Sequence, residues 1–195
     1  MSYRASSLFS EKKAAEVAAY FLIRARNRKA NITILKLMKL MYLAERLSYK
    51  EYGFPIIGDA LVSMPHGPVL SRTLELINVG SNDGAWDHLI AEKSDRYVAL
   101  NGHEDLRVND LLELSESDIE LLGRVWDEFG SWSAIKLRDY THGQGCPEWQ
   151  DPDDSSVPIQ LETLLGVLGY SPDDVKKITS NAQRQAYINS AFNTP

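Results

Sequence analysis

Cysteine is almost missing from this chain. Cys146 is the single one in 195 residues, so no internal disulfide forms, and a reducing, cytoplasmic setting is the expectation. Long apolar runs are missing as well. No stretch approaches the ~18 residues of a membrane span, the longest being broken by Glu16, Lys36 and Lys39, and no membrane partner is expected. The opening MSYRASSLFSEKK lacks the apolar centre of a secretory leader. There is no repeat, no low-complexity tract and no composition shift, so one domain over residues 1–195 is expected. No Gly-Lys-Ser/Thr and no Gly-x-Ser-x-Gly occurs, and Gly143-Gln144-Gly145 is too short for a dinucleotide fingerprint. His66, His88, His103 and His142 are scattered, and His142 and Cys146 lie four apart across two glycines, which is not structural zinc spacing. No cofactor is expected.

What is present is ordinary globular material, 44% hydrophobic and 25% charged, with the charge unevenly placed. Residues 1–50 hold 11 Lys/Arg against 3 Asp/Glu and residues 51–195 hold 10 against 24, so the first part carries +8 and the remainder −14. That polarity suits a charged partner or internal pairing of an N-terminal helical layer against the acidic remainder. A pI of about 5.2 is the wrong overall sign for generic nucleic-acid binding, and nucleic acid is not an expected partner.

The chain is organised around residues 33–72. Ile34, Leu35, Leu37, Met38, Leu40, Met41, Leu43 and Leu47 make a helix apolar around most of its circumference, with a narrow polar stripe through Lys36, Lys39, Arg46 and Lys50. Thr33 is the expected N-cap, and Gly53 and Pro55 end the helix. A β-like run at 60–64 leads into Pro65-His66-Gly67-Pro68-Val69, a turn fixed by two prolines and a glycine. Before it, Ser10 caps a first helix over 10–28 that ends in the basic run Arg24 to Lys29; cations there complement the helix dipole. After it the pattern predicts a third helix over 69–79 and two or three short strands within 86–112, joined by the 60–64 run. Ser115 with Asp118 reads as a capping box for a helix reaching Gly130, followed by helices at 133–140, 159–168 and 171–192. The expected class is α+β, predominantly helical, with a small antiparallel sheet.

For chemistry, Cys146 with His142 or His66, and Ser63 or Ser71 with His66, are the available nucleophile–base pairs. The competing expectations are that His66 packs or caps within its turn and that Cys146 is a small buried hydrophobe. A small hydrolase or metal-dependent enzyme built from His66, His142, Cys146 and Glu148 requires the two loops to converge, and a mixed site using Asp139 stays open. A DNA-binding autoregulator resting on the basic N-terminal layer is a third reading. From the residues alone a binding module is favoured over an enzyme.

The motifs carry a resemblance. Leu37-Met-Lys-Leu-Met-Tyr-Leu-Ala44, Gly53-Phe-Pro55 and His66-Gly-Pro-Val69 resemble, in order and spacing, the signature of the Panacea domain, the SocA-like antitoxin family also labelled phage-associated proteins. Thr141-His142, Pro147-Glu-Trp149, Ser155-Ser156 and Pro158-Ile159 are similar to a second element of a subgroup, so the likeness spans about 32–169. Met64-Pro65-His66 departs from the aromatic that many relatives place before the Gly-Pro pair, and the first and last helices carry little family signal. The resemblance implies a non-enzymatic antitoxin that binds and neutralises a cognate protein toxin encoded nearby, by occlusion or by delivery to an ATP-dependent protease. It points to Tyr42, Arg46, Tyr49, His66, Gly67, Pro68 and Arg72 as an exposed toxin-facing surface, with His142, Glu148 and Trp149 in a second motif loop.

Overall fold

The computed structural model describes residues 8–81 and 84–192. Helix α1, Glu11–Asn27, starts where the Ser10 hydroxyl accepts from the Lys13 N–H at 3.3 Å. Four of its residues between 14 and 19 are alanines, and the stretch from Ala14 to Ile23 is buried throughout, small side chains letting neighbours approach on several sides. Strand β1, Ile32–Thr33, leads directly into helix α2, Ile34–Tyr52. Thr33 caps it by accepting from Lys36 N–H at 3.2 Å, and Gly53 ends it in the left-handed region at φ 72°.

Strands β2, Leu61–Met64, and β3, Gly67–Leu70, form a hairpin across Pro65-His66, in register Leu61↔Leu70 to Met64↔Gly67. Helix α3, Ser71–Val79, follows without a side-chain cap of its own. Asp59 supplies it from outside, accepting from the Arg72 and Thr73 N–H groups at 3.0 and 2.8 Å and from the Thr73 hydroxyl at 2.7 Å. Next come the short helix α4, Ala85–Leu89, and strand β4, Tyr97–Val98, which pairs antiparallel with β1. A 3-10 turn at Val108–Asp110 precedes α5, Glu116–Phe129, whose Ser115–Asp118 capping box is present. Helix α6, Ala134–Thr141, is capped by Ser133. Strand β5, Val157–Pro158, adds to the free side of β2, giving the order β3-β2-β5, before α7, Leu161–Val167, and α8, Pro172–Phe192.

The class is α+β and predominantly helical, with α2 at the centre, packed against α1, α5, α6, α7 and the hairpin. Strand pairing differs from the sequence reading in one respect. The 60–64 run is a strand, but its partners are 67–70 and 157–158, and 86–112 contributes only β4 plus bridges at Ile90↔Leu100 and Ser94↔Tyr97. The cause is local: a two-residue link lets β2 pair with its immediate neighbour, so the first residues expected in the third helix are used as β3. The basic run at the end of α1 is engaged internally. Arg24 meets Asp127 at 3.2 Å, Arg26 donates to the carbonyls of His103, Glu104 and Leu106, and Arg28 lies 4.9 Å over the Trp126 ring. With Lys13–Asp118 at 3.1 Å and Arg46–Glu148 at 2.8 Å, the basic N-terminal layer pairs against the acidic remainder.

Candidate functional site

The hairpin tip and the loop after α6 meet over the middle of α2. Gly67 sits at φ 94°, and a Cβ there would lie 2.8 Å from Lys39 Nζ and 2.9 Å from both His142 Cδ2 and Thr141 Oγ1. Only glycine allows this approach. Beneath it Lys39 is fully buried and donates to the Pro68 carbonyl at 2.8 Å. Burial without a facing carboxylate lowers its pKa to about 7. This corrects the reading of Lys39 as part of a polar stripe: the helix is enclosed on that side by the hairpin.

Glu148, Trp149 and Gln150 fasten the 142–150 loop to this hairpin and to α2. His142 stacks on Trp149 at 4.3 Å with the rings 6° apart, and its buried Nε2 has no hydrogen-bond partner. Trp149 Nε1 donates to the Met64 carbonyl at 3.1 Å, and Gln150 N–H to Ser63 Oγ at 3.2 Å. Glu148 Oε1 accepts from Tyr42 OH and from Arg46 Nε, each at 2.8 Å, with the Glu148 side chain wholly enclosed. The loop can fold this tightly because Gly145 packs on the Tyr140 ring, where a Cβ would approach to 2.3 Å.

The expected exposed surface is therefore divided. His66 and Arg72 are exposed, Arg72 lying 4.4 Å over the Phe9 ring. Tyr42, Tyr49, Gly67, Pro68 and Glu148 are buried, Arg46 is mostly covered, and His142 and Trp149 are half-buried. An open surface that includes Tyr42 and Tyr49 is not what the fold presents, because α2 is wrapped by α5, α6 and the hairpin. Those residues build the support from which His66 projects. His66 itself lies at the tip with its side chain outward instead of packed into its turn, while Cys146 is a buried free thiol, as its alternative reading expected.

The two loops do converge, the condition that a hydrolase required. The chemistry around them is subdued. Burial, and next the Glu148 carboxylate, push the Cys146 thiol well above its usual range, opposite to an activated nucleophile. Burial and then the Lys39 charge lower the His142 pKa. Among the described residues no group of three His, Cys, Asp or Glu is placed to hold a metal ion.

Sequence reasoning missed two buried carboxylates that shape the site's surroundings. Glu45 accepts from the N–H groups of Ile56, Ile57 and Gly58 at 3.0, 2.9 and 2.7 Å. Complete burial raises its pKa to about 7 against the opposing pull of those donors. Asp59, described above, is the second, its pKa raised by burial. An acid within the apolar stretch of α2 was the available signal for Glu45. Nothing local marked Asp59, which accepts from the adjacent Ala60 N–H but caps α3 through Arg72 and Thr73, 13 and 14 residues away.

No curated protein and no solved structure matches the chain at a significant level. The family described as "Antitoxin SocA-like, Panacea domain" matches residues 37–150, from the first buried turn of α2 to the end of the Trp149 loop. More than half of the chain lies within that match, and its limits enclose the hairpin, the loop and the helix that joins them: the chain belongs to the SocA-like antitoxin family with a Panacea domain.

Proposed function

We propose that this protein is an antitoxin that binds a cognate protein toxin by direct contact and so neutralises it, the chain acting as one unit. The observation that carries the reading is the family match over 37–150. The geometry supports it in a specific way. The signature side chains Lys39, Tyr42 and Arg46 bond to Pro68 and Glu148 inside the protein, not to open solvent. A rigid support of this kind suits presentation of a surface, here the His66 tip with the neighbouring exposed Gly143, Gln144 and Pro147. Surfaces that dock without reshaping lose less ordering entropy on binding. Delivery of the bound toxin to an ATP-dependent protease is the finer form of this proposal.

The test is co-expression with each neighbouring open reading frame, scoring host growth with and without this protein. Growth arrest by one neighbour, relieved by this chain and accompanied by co-purification, is the expected result. If no neighbour is toxic, the antitoxin reading fails for this chain. A toxin that is neutralised equally well in a host lacking its ATP-dependent proteases points to occlusion, and one that is not points to delivery.

A further inference from the structure

Where the 142–150 loop meets the hairpin, two basic side chains lie side by side: Lys39, whose one bond goes to the Pro68 carbonyl, and His142, whose buried Nε2 has no partner. We infer that the His142–Trp149 stack is an acid-released latch: protonation of His142 is opposed by the closed fold, so a fall in pH detaches Trp149 and Gln150 from the hairpin and loosens the support of the His66 tip. The inference rests on the fold and not on the antitoxin reading.

The join between loop and hairpin is slight. Trp149 Nε1 donates to the Met64 carbonyl at 3.1 Å and Gln150 N–H to Ser63 Oγ at 3.2 Å, with the His142 ring lying flat on the indole. Glu148 holds the base of the loop on α2, so release is confined to the hairpin contacts. A neutral imidazole can leave the buried Nε2 as a bare acceptor, whereas an imidazolium puts an N–H there with nothing to receive it. An unmet donor on a charged group is the costlier of the two. A Cβ at Gly67 would lie 2.8 Å from Lys39 Nζ and 2.9 Å from His142 Cδ2, so amine and ring are separated by no more than those two distances together. Lys39 titrates near 7, so its ammonium is in place before the pH reaches the histidine range, and it repels a second cation. Helix α6 adds Arg138, which repels as well, and Asp139, which attracts but is bonded to Arg138 at 2.7 Å. The nearby His66 backbone and the Trp149 face also favour an imidazolium. In the loop itself Glu148 is taken by Tyr42 and Arg46, and Cys146 is a buried thiol. Burial, and next the Lys39 charge, prevail and hold the His142 pKa below its ordinary 6.5. An opened loop returns the ring to water and takes the proton more readily. Closure is therefore fully favoured above pH 6.5 and is lost as the pH falls toward the lowered value.

The test follows hydrogen exchange of the Gln150 backbone amide in the full chain by NMR between pH 7 and pH 5, expressed as a protection factor so that the intrinsic pH dependence of exchange drops out. Protection is expected to fall by up to about tenfold for each pH unit below 6.5, the limit for one proton. The amides of Ala18 and Leu40, buried in α1 and α2, should keep theirs. His142→Phe keeps a ring on Trp149 but takes no proton, and should hold Gln150 protection level across the range. His142→Gln, which removes the proton without adding an apolar ring, should be level too, at lower protection. Lys39→Met should make the fall shallower by removing the neighbouring ammonium. Gln150 protection that stays level in the unaltered chain overturns the latch. So does a fall that is equal in H142F and H142Q, one as steep in K39M, or one that Ala18 and Leu40 share.

Discussion

Gly67 and Lys39 illustrate how much rests on single residues. Gly67 has a positive φ and has Lys39, His142 and Thr141 within 2.9 Å of where a Cβ would stand. Gly67→Ala is expected to destabilise the protein by about 2–4 kcal/mol, combining backbone strain with overpacking, read as a lower urea midpoint. Lys39 and Glu45 set a pH dependence of opposite signs. Glu45 titrates near 7 when folded and near 4.5 otherwise, so the native state holds the extra proton and stability falls as pH rises from about 4.5 to 7. Lys39 titrates near 7 when folded and near 10.5 otherwise, so the unfolded state holds the extra proton and stability rises from about pH 7 to 10.5. Together they place a minimum near pH 7, each limb amounting to at most a few kcal/mol. Urea midpoints from pH 4 to 10 should show the dip, and K39M should remove its alkaline side. A monotonic curve in the unaltered protein would sink the assignment.

At the scale of elements, the 142–150 loop is held by Glu148 and the Trp149 stack, and α8 by little. Glu148→Ala leaves Arg46 mostly covered and the buried Tyr42 hydroxyl without its acceptor. It is expected to cost about 3–5 kcal/mol, because breaking one side of a buried pair strands the other. Tyr42→Phe should cost about 1 kcal/mol, and thermal melts of both single variants and the double should show non-additive losses. Helix α8 packs chiefly on α7, and among its described side chains only Thr179 is fully buried, with Val175 and Ile178 half-buried. Ending the chain after Ser171 should therefore lower stability by only about 1–3 kcal/mol while keeping the cooperative transition; loss of that transition would show α8 to be part of the core. The helices were legible from their ends: Ser10, Thr33 and Ser115 cap where they were expected to, because a cap is a contact within four residues. Strand partners were not, since β2 gains β5 from nearly a hundred residues away and a two-residue strand has almost no periodicity to read.

Over the whole molecule, the net −6 conceals a basic layer partly paired from within, through Lys12, Lys13, Arg24 and Arg46. Arg24, Arg26 and Arg28 each have a partner in the acidic remainder or on a ring, so duplex DNA is expected to show no retardation at low salt; a shift that vanishes steeply with added salt would revive the autoregulator reading. Among the described residues no helix is long and apolar enough to cross a membrane, in line with the short apolar runs of the sequence. Helical content, the central position of α2 and membership of the antitoxin family were all written in the sequence, because each depends on local patterns: a 3.6-residue apolar period, a cap, a motif of eight residues. The fate of the polar motif residues was decided only by the tertiary structure. Whether Lys39, Tyr42, Arg46 and Glu148 face solvent or one another depends on which distant segments close over α2, and folding brought the hairpin and the Trp149 loop there together. Charge and hydrogen-bonding capacity belong to a residue, but burial and partnership belong to the fold.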